Sequence, residues 1–203
     1  MARLKTRWNL KGRDRSINDI ASAIAFNLWR IAAEGLLRLE NEGFETISQS
    51  QRLDVIAEFI SFMIHIADRM VYGKMSDEQR REFIIALASH LTITMQGNRV
   101  DANGAGQYSD AFTDLLNLRM NDYSECSYSE QEGPGFSLKR IFGQNVRDKM
   151  GAKDNKWIPD YIIDAEAPIA VGALKGVLEG MLSLEPQNNR KSPVPEGGVW
   201  GDG

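Results

Sequence analysis

The chain has 203 residues, of which 42% are hydrophobic, 26% charged and 8% aromatic, with a formal net charge of -4. This composition excludes collagen-like and low-complexity chains, and at this length folding buries roughly 70% of the unfolded surface, so the core requires no disulfide or structural metal. The lone cysteine, Cys126, has no intrachain partner, and no CxxC pair or Cys/His cluster offers a zinc site, which points to a reducing compartment.

The charge is unevenly spread. Residues 1–15 carry Arg3, Lys5, Arg7, Lys11, Arg13 and Arg15 against Asp14 alone, a balance of +5 that leaves -9 for the rest. Such an arm is expected to be flexible, and it suits an acidic protein, phosphates or an anionic membrane surface, with Trp8 able to stack on a base or sit at a lipid interface. The arm is rich in arginine, as a mitochondrial presequence is. The apolar stretch that follows, from Ile17 to Leu39, is interrupted by Asn18, Asp19, Asn27, Arg30, Glu34 and Arg38, too many polar groups for a signal core or a membrane span. A soluble, cytoplasmic protein is expected, with peripheral membrane contact left open. The acidic balance of the whole chain argues against a dedicated nucleic-acid binder.

Six segments repeat their apolar residues with helical spacing. Ser16 is placed to cap a first helix running to about Asn41, in which Ile17, Ile20, Ile24, Leu28 and Ile31 recur every three or four residues, with Gly43 just past its end. A second helix spans about Gln49 to Tyr72, and a third starts at Ser76-Asp77-Glu78-Gln79 and runs to about Gln96 or Gly97. Residues 97–110 read as a polar, glycine-rich connection, followed by a fourth helix from about Ser109 to Asp122 and an exposed acidic loop up to Gly135. A basic fifth helix is expected from about Ser137 to Met150, and a last helical region from Ile158 to Leu182, with Pro168 forcing a kink or a fresh start. Residues 183–203 are rich in proline and glycine and are expected to be disordered. The fold class is therefore all-α, a single-domain bundle of about six helices spanning 16–182 between two flanking segments.

The second helix is the most informative. At 100° per residue from Leu53, the polar residues Asp54, Glu58, Ser61, His65, Asp68, Arg69 and Tyr72 share a sector about 100° wide, and the remaining circumference is apolar. This helix belongs at the centre of the domain. Its polar stripe either reaches solvent, with His65 and Arg69 pairing with acids one turn away, or lines an internal cavity. In the second case Glu58, His65 and Asp68 form part of a transition-metal or acid/base site, completed by His90 of the third helix or another acid. His90 itself sits beside Phe83, Ala86 and Leu87, which suits a hydrogen-bonded boundary histidine better than a ligand. Neither histidine has a glutamate three positions earlier, which excludes a ferritin-like di-iron site.

Three weaker signals remain. Asp101, Asn103, Gly106 and Tyr108 fit the first, third, sixth and eighth positions of an EF-hand loop, but Ala105 and Phe112 occupy the fifth and twelfth, where calcium needs oxygen ligands. Gly172, Gly176 and Gly180 form a stripe on the last helix that suggests close backbone packing, against Ala32, Ala33 and Gly35 of the first helix or, in a homo-oligomer, a second copy. Cys126 lies beside Glu125, which raises rather than lowers a thiol pKa. With phosphate-loop, dinucleotide, zincin and nucleophile-elbow signatures missing, the expectation is a non-enzymatic helical interaction or adaptor protein. It would bind a protein partner through Arg3, Lys5, Arg7 and Trp8 in the arm and Trp200 in the tail, without a cofactor. The alternative is a metal- or cofactor-binding enzyme or sensor built on the stripe of the second helix.

Overall fold

Ser16 accepts a hydrogen bond from the Asp19 amide while the Asp19 carboxylate turns back to the Ser16 backbone, and this capping box starts the first helix, α1 (Ile17–Asn41). In the computed structural model, which describes residues 15–153 and 155–182, α2 (Gln49–Val71) follows behind its Ser48 cap and α3 (Asp77–Asn103) behind a second capping box, Ser76 with Gln79. The chain leaves α1 and α2 through Gly43 and Gly73, both at positive φ, where a side chain would be strained. Then come α4 (Ser109–Ser124), a ladder of two residues per strand, β1 (Tyr128–Ser129) antiparallel to β2 (Gly133–Pro134), and α5 (Phe136–Lys149). A 3-10 turn, Asn155–Trp157, leads into α6 (Ile158–Tyr161), a π turn over Ile162–Glu166 and α7 (Ala167–Leu182).

The chain folds as an all-α bundle of six long helices with α2 at its centre. Every residue from Val55 to Ala67 is buried, and α2 packs on α1, α3, α4, α5 and α7. Its core contacts include Phe59 edge-on to Phe142 at 4.9 Å and Phe62 stacked on Phe142 at 4.2 Å. α1 is long and apolar enough by composition to cross a membrane, but half of that window is buried against its neighbours in the bundle.

Three elements depart from the sequence reading. α3 continues through Gly97 to Asn103 because its last turns are tied down: Arg99 reaches Ser50 and Asp54, and the Gln96 carboxamide accepts from the Tyr108 and Ser109 amides and donates to the Gly106 carbonyl. Asp101 and Asn103 are therefore helical, and the connection shrinks to residues 104–108, which removes the EF-hand geometry. The acidic loop contains the small ladder, too short to show alternation in sequence. The π turn widens the chain just before Pro168, whose missing amide leaves the usual i to i−4 bond unmade.

The glycine stripe of α7 does not meet α1. A Cβ at Gly172, Gly176 or Gly180 would find no atom within 4 Å, so the stripe faces outward. Its proposed counterpart is used elsewhere: a Cβ at Gly35 would stand 2.6 Å from Phe59 Cε1. Ala32 is buried with the core. Arg3, Lys5, Arg7, Trp8 and Trp200 lie outside the described residues.

Candidate functional site

The polar stripe of α2 is covered over most of its length by neighbouring helices and reaches solvent at Tyr72 and, in part, at Asp54. It faces α3 and α4, and each of its carboxylates meets an arginine from one of them. Arg80 donates to both oxygens of Asp68 at 2.7 and 2.8 Å, and Arg99 pairs with Asp54. Arg119 of α4 grips Glu58 through Nε and Nη2 at 2.7 and 2.8 Å and spends Nη1 on Asp122 at 3.0 Å. Ser61 turns its hydroxyl back onto the Ala57 carbonyl. Glu58 is fully buried, and the bidentate fork is the geometry that makes a buried carboxylate tolerable. The Arg119 guanidinium is held well above its ordinary pKa, chiefly by the hydrogen bond to Glu58. A second buried carboxylate, Glu166 of the π turn, is bound the same way by Nε and Nη2 of Arg38 at 2.8 and 2.9 Å.

Sequence reasoning missed these arginines, although a signal existed. Arg119 occupies the same row of α4 as Phe112, Leu116 and Tyr123, and Arg99 continues the α3 row of Phe83, Leu87, Leu91 and Met95. Glu166 likewise interrupts the row Ile158, Ile162, Ala170, Leu174. A charge at a core position of an amphipathic row implies a buried partner on a neighbouring helix.

The other half of the stripe is arranged differently. His65 is 4% exposed and its Nε2 makes no hydrogen bond. Its ring lies 5.4 Å from that of Tyr123, which is fully buried with its hydroxyl also unpartnered. The Asn145 amide approaches that hydroxyl closely enough to favour its ionised form, yet Nδ2 completes no hydrogen bond. Burial, and then the charge of Glu58, push the Tyr123 hydroxyl far above the usual tyrosine range. Burial likewise lowers the His65 pKa to about 4, with the Arg69 charge acting in the same direction and Asp68 opposing, so the ring is neutral near pH 7.

Arg69 does not pair with an acid one turn away as the sequence suggested. Its Nη2 donates to the Ser124 carbonyl at 3.3 Å and its buried Nε has no partner. It floors a surface groove whose walls include Tyr72, Cys126 and Tyr128. The Cys126 thiol pKa is raised by burial and by Asp122 and Glu125, as expected for a poor nucleophile.

Of the candidate metal set, Glu58 and Asp68 are occupied by arginines, His65 forms a hydrogen bond with neither, and His90 meets Asn18 of α1 at 3.1 Å on another side of the bundle. Among the described residues no three His, Cys, Asp or Glu side chains converge as metal ligands would. Comparison with protein-family models, curated proteins and solved structures finds no match to this chain.

Proposed function

We propose that this protein is a non-enzymatic interaction protein, a stiff helical scaffold that binds another macromolecule through its flanking segments and outer faces. The observation that supports this best is the fate of the α2 carboxylates. Asp54, Glu58 and Asp68, the residues best suited to acid/base or metal chemistry, are each bound by an arginine of an adjacent helix. Ion pairs of this kind fix helix register and position, which serves a scaffold. The outer surface, by contrast, carries apolar side chains such as Ile85 and Ile93 on α3 and the open glycine stripe on α7. The basic arm with Trp8 and the tail with Trp200 add two aromatic anchors on polar segments.

The test is a quantitative pull-down with the full chain and with a chain lacking residues 1–15 and 185–203, followed by reconstitution with each purified partner. Loss of at least one saturable partner on truncation is the expected result. Retention of every partner by the truncated chain overturns the role of the ends. Elemental analysis of untagged protein tests the metal-dependent alternative, and stoichiometric iron, manganese or zinc would overturn the non-enzymatic reading.

A further inference from the structure

Arg69 breaks a rule that the other inward-turned arginines of this bundle follow. Arg38, Arg52, Arg80, Arg99 and Arg119 each meet a carboxylate of a different helix or turn. Arg69, half-buried on the same face of α2, meets none within 4 Å among the described residues. Of the acids around it, both oxygens of Asp68 are on Arg80 and Glu130 on the groove wall is held by Lys74 at 2.9 Å, while Glu125 lines the same groove without forming an ion pair with Arg69. Its one hydrogen bond, to the Ser124 carbonyl, is long and uses one of five donors.

The surroundings of Arg69 are short of acceptors in the same way. His65 is one turn away on the same face, and Tyr123 immediately precedes Ser124 in the chain. His65 Nε2, the Tyr123 hydroxyl, Asn145 Nδ2 and Arg69 Nε are buried polar atoms without partners, contributed by α2, α4 and α5. Buried polar atoms in a folded protein are almost always satisfied, so the unpartnered Arg69 Nε, with three further unpartnered atoms buried beneath the groove rather than on its lining, marks Arg69 as the place where a group from outside the fold would be held. A guanidinium fork matches a carboxylate in shape and charge. Glu125 on the rim disfavours a doubly charged phosphate, and the half-buried Tyr128 offers an apolar wall for the body of the ligand.

We propose that the groove between α2 and the α4–β1 connection binds a carboxylate group, with Arg69 as its anchor and Tyr128 against the ligand's apolar body. This goes beyond the interaction reading and does not depend on it. The carboxylate belongs either to a small organic acid or to a peptide C-terminus, and the two share the same recognition chemistry.

Calorimetric titration of the full chain distinguishes them. The probes are benzoate, an N-acetylated Gly-Phe dipeptide with a free C-terminus, the same dipeptide amidated, and inorganic phosphate. Benzoate or the free-terminus peptide is expected to bind saturably, the amidated peptide and phosphate at least about tenfold more weakly, and Arg69→Gln to lose about tenfold or more. The tighter of the first two probes names the source. Glu125→Gln, an exposed substitution at the rim, is expected to strengthen binding about two- to threefold, a gain that misfolding cannot produce. The proposal is overturned if neither carboxylate binds below about 10 mM. It is equally overturned if Arg69→Gln binds like the unsubstituted chain, if phosphate binds as tightly as the carboxylates, or if Glu125→Gln brings no gain.

Discussion

Glu58 and His65 lie two turns apart on one face of α2, both withdrawn from solvent, and the bundle treats them in opposite ways. Glu58 receives two hydrogen bonds from Arg119, whereas His65 Nε2 receives nothing. The difference follows from what each group does when desolvated. An ionised carboxylate is so costly to bury alone that a counter-ion has to accompany it, but a histidine sheds its proton and becomes a neutral ring. The stripe is thus two regions, one in which charges lock α2 to α3 and α4, and one in which neutral polar groups stand beside an unpaired arginine.

The comparison is broken most severely by removing the counter-ion. Arg119→Met leaves Glu58 buried without its fork, and the expected loss of unfolding free energy is about 3–5 kcal/mol, measured by urea titration. The double substitution Glu58→Leu with Arg119→Met removes both charges and is expected to recover most of that loss. A single-variant loss below about 1 kcal/mol would mean that the pair does not hold the helices together.

The neutral half is sharpened by pH. With a folded pKa of about 4 against 6.5 for the ordinary group, His65 binds a proton in the unfolded chain before it does so in the folded one. Stability from this residue is therefore intact above pH 6.5 and falls as pH drops towards 4, because unfolding then takes up a proton. The full displacement corresponds to at most about 3 kcal/mol. Arg69 and Asp68 on α2 and Tyr123 on α4 are the charged or ionisable groups closest to the ring and act in both states of the comparison. His65→Gln is expected to flatten the stability profile between pH 6.5 and 4.5 relative to the unsubstituted chain, and an unchanged slope would place the ring in contact with water.

The two kinds of feature differ in how far the sequence reveals them. Helix spacing, the Ser16 and Ser76 caps and the apolar circumference of α2 are local properties, and they placed six helices and the central one correctly. The destination of the stripe is not local. Arg119 is 61 positions from Glu58, Arg99 is 45 from Asp54, and Arg38 is 128 from Glu166, so the pairings follow from how helices pack, which periodicity leaves open. The overrun of α3 past Gly97 has in part the same origin, since it rests on the contact of Arg99 with Ser50, 49 positions away, together with that of Gln96 with Tyr108 across the following turn.

The contrast between a filled and an open position recurs in the glycines, where the expected effects are smaller and opposite in sign. At Gly35 an added methyl would stand 2.6, 3.0 and 3.1 Å from three atoms of the Phe59 ring, which is itself wedged edge-on against Phe142, so Gly35→Ala is expected to lower stability by about 1–2 kcal/mol through overpacking. At Gly176 the same methyl meets nothing, the backbone is ordinary helix, and alanine restricts the unfolded chain more than glycine does. Gly176→Ala is therefore expected to raise stability by about 0.5–1 kcal/mol in dilute solution. Repeating the measurement across a hundredfold range of protein concentration decides what the open stripe is for. If the gain turns into a loss as concentration rises, a second copy packs its backbone against Gly172, Gly176 and Gly180 and the methyl is in its way. A gain that stays constant shows a helix face that remains in water, and the cost of three exposed glycines would then need an explanation other than self-association.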